Sequence, residues 1–257
     1  MKRINNIFDV GAFNGLDGLI LAIKNPNATV HAFEANPDLI KEIRINKKKI
    51  ESYKKILIKN YKINNVAISN KNKYLFFNIA KNPTVSSLNE LSKNIDVTWP
   101  GYKEEHCTTM KKIKVKCITL KKYCKENRIK KINYLHIDTQ GSDLKVLKGL
   151  ENQIQIVDRG VMEASVSNEK SLYQSSNTIN DTKKFLKKNN FKILKIESID
   201  ENIKNEKNIY FRKNNQKIID KINLRYNQRY YKRIISNKLN FKDKLIDMLR
   251  NLFFKFY

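Results

Sequence analysis

The stretch from Ile7 to Glu34 constrains this chain more than any other. An apolar run ends in Asp9, the chain turns through Gly11 and Gly15 and follows an apolar, helix-like stretch from Leu16 to Ile23. It returns as a second strand, Thr29 to Phe33, that closes on Glu34. That is a β-α-β unit with glycines in its first turn and an acid about 20 residues further on. Glycine allows close approach of backbone to a ligand, the start of the helix offers unpaired N–H groups, and the Glu34 carboxylate can accept hydrogen bonds from a ribose diol. A nucleoside-bearing cofactor is the expected occupant.

Spacing bears on which nucleoside. A dinucleotide site takes three glycines as GxGxxG, so that a helix N-terminus can face a pyrophosphate. Here the run is Asp9-Val10-Gly11-Ala12-Phe13-Asn14-Gly15, a GxxxG form preceded by an acid. It suits S-adenosylmethionine, which has no phosphate and carries a sulfonium and an amino-acid tail. The alternative is an ordinary strand-to-helix turn built with glycine, and the position of Glu34 argues against it.

Further along, Ile132 to Asp138 reads as a buried strand ending in an acid, and Val157 to Ala164 as the next, with Glu163 near its carboxyl end. In a doubly wound parallel sheet, ligands gather at the carboxyl ends of the strands, so Asp9, Glu34 and Asp138 are expected to converge. Transfer of a group from such a cofactor needs an acceptor held in line and, where the acceptor carries a proton, a base to take it. Asp138 is the first candidate catalytic residue and Glu163 the second. His136 shares the Asp138 face by the period of two, yet sits deeper in the strand, and is assigned a structural role.

Three blocks resemble the FkbM-type class I methyltransferases: Asp9 to Gly15, then Ala32-Phe33-Glu34-Ala35-Asn36-Pro37, and Ile137-Asp138-Thr139-Gln140-Gly141-Ser142-Asp143 running on to Gly149. The resemblance covers about residues 5 to 212, and the third block is its most specific part. It implies a doubly wound, Rossmann-like α/β sheet, mostly parallel with a C-terminal antiparallel hairpin, and S-adenosylmethionine as cofactor. By resemblance the cofactor-binding set is Asp9, Gly11, Ala12, Phe13, Asn14, Gly15, Glu34, Asn36, Asn65 and Val66, with Asn65 bonding the base and Val66 covering its face. Ser86-Ser87-Leu88 is similar to a serine pair in the family. The implied reaction is O-methylation of a hydroxyl, often on a sugar or a secondary metabolite.

The intervening segments read less sharply. Pro37 opens an amphipathic helix with Leu39, Ile40, Ile43, Ile45 and Ile50 as its apolar positions, and a third strand ends near residues 63–69. Lys73 to Ile79 alternates as a strand, whereas residues 80–110, with Pro83, Pro100, Gly101 and Trp99, show no sustained period and form a candidate acceptor lid. Ile113, Val115 and Cys117 alternate, and Thr119 caps a helix from Leu120 to Asn127. A helix over 178–189 and a hairpin over 191–196 and 208–211 follow.

A division into a domain of residues 1–213 and a helical extension of residues 214–257 follows from a shift in composition. In the extension, Phe241, Leu245, Met248, Leu249, Leu252 and Phe256 share one helical face with a basic flank, which fits an anionic membrane surface, a partner subunit or the chain's own domain. Lys plus Arg number 52 against 25 Asp plus Glu, a net charge of +27. The excess is spread in Lys-Lys and Lys-Asn pairs and matches an abundance of Asn and Ile, which speaks against nucleic acid as partner. An RNA methyltransferase and a catalytically silent membrane-associated binding module stand as alternatives. No NPPY-like tetrapeptide, the mark of base-amine methylation, follows the fourth strand. No run of about 18 apolar residues and no signal-like h-region appears, so a cytoplasmic location is expected, peripheral on the inner membrane face if the extension docks there. Cys107, Cys117 and Cys124 form no CxxC pair and are expected reduced and structural; His106 beside Cys107 is too little for a metal site, and none is expected.

Overall fold

The computed structural model describes residues 4–99, 107–198, 203–214 and 231–236. The first half contains β1 (Asn6–Val10), α1 (Leu16–Lys24), β2 (Thr29–Glu34), α2 (Pro37–Lys54), β3 (Tyr61–Asn65), β4 (Ala67–Ile68) and β5 (Lys73–Ala80). Then come α3 (Ile95–Thr98), β6 (Thr109–Ile118), α4 (Leu120–Glu126), β7 (Tyr134–Ile137) and α5 (Asp143–Lys148). The last described elements are β8 (Arg159–Ser165), α6 (Ile179–Lys188), β9 (Phe191–Ser198) and β10 (Glu206–Lys213).

Seven strands form one sheet in the order β3-β2-β1-β7-β8-β10-β9. The five strands from β3 to β8 run parallel, and β10 is antiparallel to both its neighbours, which is the doubly wound sheet with a terminal hairpin read from the sequence. Its central strands are buried on both faces because helices cover both: Phe8, Val10, Leu135 and Ile137 pack with α4 and α5, while Ile7, Val30 and Ala32 pack with α1 and α2. The order reverses between β2 and β7 around β1, and a crevice opens at the carboxyl ends of these strands.

Local signals account for the helices. Asn36 caps α2 by accepting from Asp38 N at 3.0 Å, with Pro37 in the first helical position, and Thr178 and Asp181 form a reciprocal capping box on α6. Leu39, Ile40, Ile43 and Ile50 are buried as the period requires. Ile45 is not: two residues past Ile43 it points away from the sheet and is exposed.

Two expectations need correction. The third strand does not run through to residue 69. It ends at Asn65, the chain turns at Val66, and β4 joins a separate sheet of order β4-β6-β5. Nor is the described part of residues 80–110 an irregular loop. A 3₁₀ turn at Pro83–Val85 and α3 are held by long-range packing of Val85, Ile95, Trp99 and Cys107 on Leu172 and Tyr173, while Trp99 Nε1 donates to Lys170 O at 3.1 Å. Such contacts leave no local period. Pro100, Gly101 and His106 lie outside the described residues, as does the amphipathic stretch 241–257. Of the proposed extension, residues 214 and 231–236 are described, and Tyr231 and Ile234 are buried against the core of α1 and α2. All three cysteines are free and buried.

Candidate active site

A cavity of about 200 Å³ opens at the switch point, lined by the turn after β1, the end of β2, the chain at Val66–Ile68, Phe77 of β5, residues of the 83–88 turn and the end of β7. Its floor is the glycine turn. Gly11 has φ +83°, and a Cβ there would overlap the Asp138 carbonyl oxygen; at Gly15, φ +78°, a Cβ would sit 2.8 Å from Ile43 Cγ2. The two glycines allow close approach of protein to protein, β7 in one case and α2 in the other, and Gly11 also lines the cavity whereas Gly15 does not.

The N–H groups of this turn are also largely spent. Gly11 N and Ala12 N donate to Phe33 O, Gly15 N donates to Ala12 O, Phe13 N donates to Glu34 Oε2 at 2.9 Å, and Leu16 N donates to Asn14 Oδ1. A phosphate would find few free donors here. Glu34 Oε1 accepts in addition from Asn36 N at 2.8 Å, so both oxygens are fixed by backbone while the carboxyl still lines the cavity. Burial pushes it up to about 7.

Asp9 and His136 face each other across the β1–β7 ladder, where they are register partners. His136 Nδ1 lies 2.8 Å from Asp9 Oδ1, while Asp9 Oδ2 is buried with no hydrogen-bond partner. Burial opposes charge on the imidazole, but the hydrogen bond and charge of Asp9 outweigh it and raise His136 to about 9. Asp138 accepts from Gln140 Nε2 at 2.7 Å, and Gln140 Oε1 lies 2.8 Å from the Tyr173 hydroxyl. Burial raises the Asp138 carboxyl, with His136 opposing. Behind it, Asp143 accepts from Thr139 N, Thr139 Oγ1 and Glu163 N, which locks the turn after β7; burial and then Asp138 push it up to about 7.

Of the residues named from the sequence, Asp9, Gly11, Ala12, Phe13, Asn14, Glu34, Val66 and Asp138 line the cavity together. Gly15, Asn36, Asn65 and Glu163 do not. Asn36 is occupied as the α2 cap, and Asn65 Nδ2 donates to the Glu34 and Ala35 carbonyls at 3.0 and 3.2 Å, bracing the end of β2. Glu163 lies on the next strand out, packed near Asp138, Asp143 and Glu206, where burial raises it well above the ordinary carboxyl range. Ser87 Oγ donates to Gln140 O at 2.6 Å, so the serine pair ties the 83–88 turn to the turn after β7. Sequence reasoning missed His136, Asp17, Thr139 and Gln140 as lining residues. The period of two had put His136 on the correct face; that the cavity reaches two residues down β7 from Asp138 had no local signal.

Among the described residues the cavity presents four acids, Asp9, Asp17, Glu34 and Asp138, an unpartnered carboxylate oxygen and no lysine or arginine. This fits a cationic ligand with a sugar diol and is ill suited to a pyrophosphate. The model of the methyltransferase FkbM domain matches residues 9–193. The chain belongs to that family. Among solved structures, this FkbM methyltransferase is similar to methyltransferase FkbM from Methylobacillus flagellatus KT, with TM-score 0.49 and 11% identity, over 81% of this chain and 44% of that one. It is also similar to M. capricolum TrmK in complex with S-adenosyl-homocysteine, with TM-score 0.44 and 15% identity over 87% and 70% of the two chains. A third is the magnesium protoporphyrin IX methyltransferase of Synechocystis PCC 6803 with bound SAM, with TM-score 0.44 and 10% identity over 82% and 72%. The chain therefore spans less than half the length of the Methylobacillus protein. No curated protein matches it. Among the described residues no group of three or more His, Cys, Asp or Glu is placed to hold a metal ion, and no helix is long and apolar enough to cross a membrane.

Proposed function

We propose that this FkbM methyltransferase uses S-adenosylmethionine to methylate a hydroxyl of a sugar, in a glycan or in a nucleotide- or lipid-linked saccharide precursor. The observation that supports the cofactor is the acid-lined cavity, without lysine or arginine among the described residues, in a chain of net charge +27. When bound, the cofactor supplies an electrophilic methyl on a sulfonium. Glu34, held by Phe13 N and Asn36 N, keeps lone pairs for a ribose diol, and Val66 and Phe77 supply apolar wall for a base. Asp138, raised by burial and fixed by Gln140, is the carboxylate placed to accept the proton of an acceptor hydroxyl. Glu163 stands behind it and acts through Asp138 by keeping the local environment unfavourable to charge. The acceptor enters past Pro83, Thr84, Ser86 and Leu88. Residues 1–213 carry the transferase domain, Tyr231 and Ile234 pack on it, and the rest of residues 214–257 docks it on an anionic surface at the cytoplasmic face of a membrane or on a partner subunit.

Calorimetry with S-adenosylmethionine on the intact chain tests the cofactor: the absence of binding, or binding undiminished in Glu34→Ala, sinks the proposal. Methyl incorporation from labelled cofactor, compared across saccharide precursors, secondary-metabolite hydroxyls and RNA, tests the acceptor, and incorporation into RNA alone would overturn the sugar assignment.

A further inference from the structure

S-adenosylmethionine carries three charged centres: a sulfonium, an ammonium and a carboxylate. Acids around the cavity answer the two cations, but a carboxylate brought in among them needs a cation of its own. His136 is the basic side chain among the lining residues, on a chain with 52 lysines and arginines, none of which reaches this cavity among the described residues. Its Nδ1 is committed to Asp9 at 2.8 Å, and its side chain is 16% exposed, which leaves Nε2 as the ring nitrogen with no protein partner. Asp9 stabilises the doubly protonated ring, so Nε2 presents an N–H and has no lone pair with which to act as a base.

We infer that His136 Nε2–H holds the carboxylate at the amino-acid end of the cofactor. This rests on S-adenosylmethionine being the cofactor, and it gives His136 a binding role where its depth in β7 first marked it as structural. Asp9 acts through it as a positioning residue, fixing the ring's orientation and its charge, much as an outer carboxylate orients a ligating histidine. The acids facing His136 are Asp9 from β1, Asp17 from α1 and Asp138 from its own strand. All three favour the charged ring.

The test is calorimetry on the intact chain with two probes, S-adenosylmethionine and decarboxylated S-adenosylmethionine, which keeps the sulfonium and the ammonium. Loss of a charged hydrogen bond predicts that His136→Gln weakens the first about 10- to 100-fold and changes the second by less than about 3-fold. His136→Lys, which keeps the charge, recovers part of the loss for the first probe. In the wild type, the preference for the first probe over the second shrinks as pH rises through about 9, where His136 loses its proton, and His136→Lys shows no such step. An equal loss for both probes in His136→Gln means the ring only supports the pocket wall and overturns the assignment. A wild-type chain that binds neither probe overturns the cofactor itself, a distinguishable failure.

Discussion

The cavity and the outer face of the small sheet meet on the two sides of β5 and are opposite in chemistry. On β5, Phe77 points inward, 8% exposed, and packs with Val115, Cys117 and Ala67 where it helps close the cavity. Its neighbour Phe76 points outward, 65% exposed, beside Tyr74 and opposite Lys114 and Lys116 of β6. Lysines of β6 lie on that outer side, with Lys114 Nζ 5.5 Å from the Tyr74 ring centre, and none of the described lysines lines the cavity. Strand alternation alone sorts the two environments. In a protein this basic, the acidic cavity is the part that departs from composition, and departure from composition marks the place where a ligand of opposite charge is received.

That contrast can be broken at several points, the largest first. Gly11→Ala brings a Cβ onto the Asp138 carbonyl at a backbone angle that side chains rarely adopt, so a loss of more than about 3 kcal/mol is expected in chemical denaturation. Retention of wild-type stability would show that the floor of the cavity is looser than described. Phe77→Ala should cost about 3 kcal/mol and weaken cofactor binding, whereas Phe76→Ala, one residue away, should stay within about 0.5 kcal/mol and leave binding unchanged. Equal effects from the pair would erase the difference between the two faces.

Glu34→Ala removes an acceptor whose oxygens also hold Phe13 N and Asn36 N, and a fall in S-adenosylmethionine affinity of about 30-fold or more is expected by calorimetry. The acids of this region also set a pH response. Burial makes Glu34, Asp143 and Glu206 each hold their proton up to about 7 in the folded chain, against ordinary values of 4.5, 3.8 and 4.5. Folding therefore takes up protons, and the stability from these groups is fully present below about pH 4, then lost as pH rises through about 7. His136, raised from 6.5 to about 9, adds a loss in the same direction between those values. His31, lowered to about 4, works the other way and erodes stability below about pH 6. The ligand-free protein should melt on the order of 5 °C lower at pH 8 than at pH 5.5, a difference that Glu34→Gln reduces. The smallest effect belongs to the outer face: Lys114→Gln with Lys116→Gln should move the melting temperature by no more than about 2 °C.

The sequence by itself determined the sheet and the end of it that matters. Glycines at 11 and 15, acids at 9, 34 and 138, and buried runs at Ile7–Phe8 and Tyr134–Ile137 are local patterns with a period, and a period survives being read one residue at a time. The tertiary structure alone decided what those residues touch. Gly11 turned out to make room for Asp138, Asn65 to brace the end of β2, Glu163 to stand one strand away from the cavity, and His136 to meet Asp9 across 127 positions of sequence. The same holds for residues 80–99, which look shapeless along the chain because Val85, Ile95 and Trp99 take their order from Leu172 and Tyr173. Contacts of that range depend on where the whole sheet carries each strand, and no stretch of neighbouring residues encodes them.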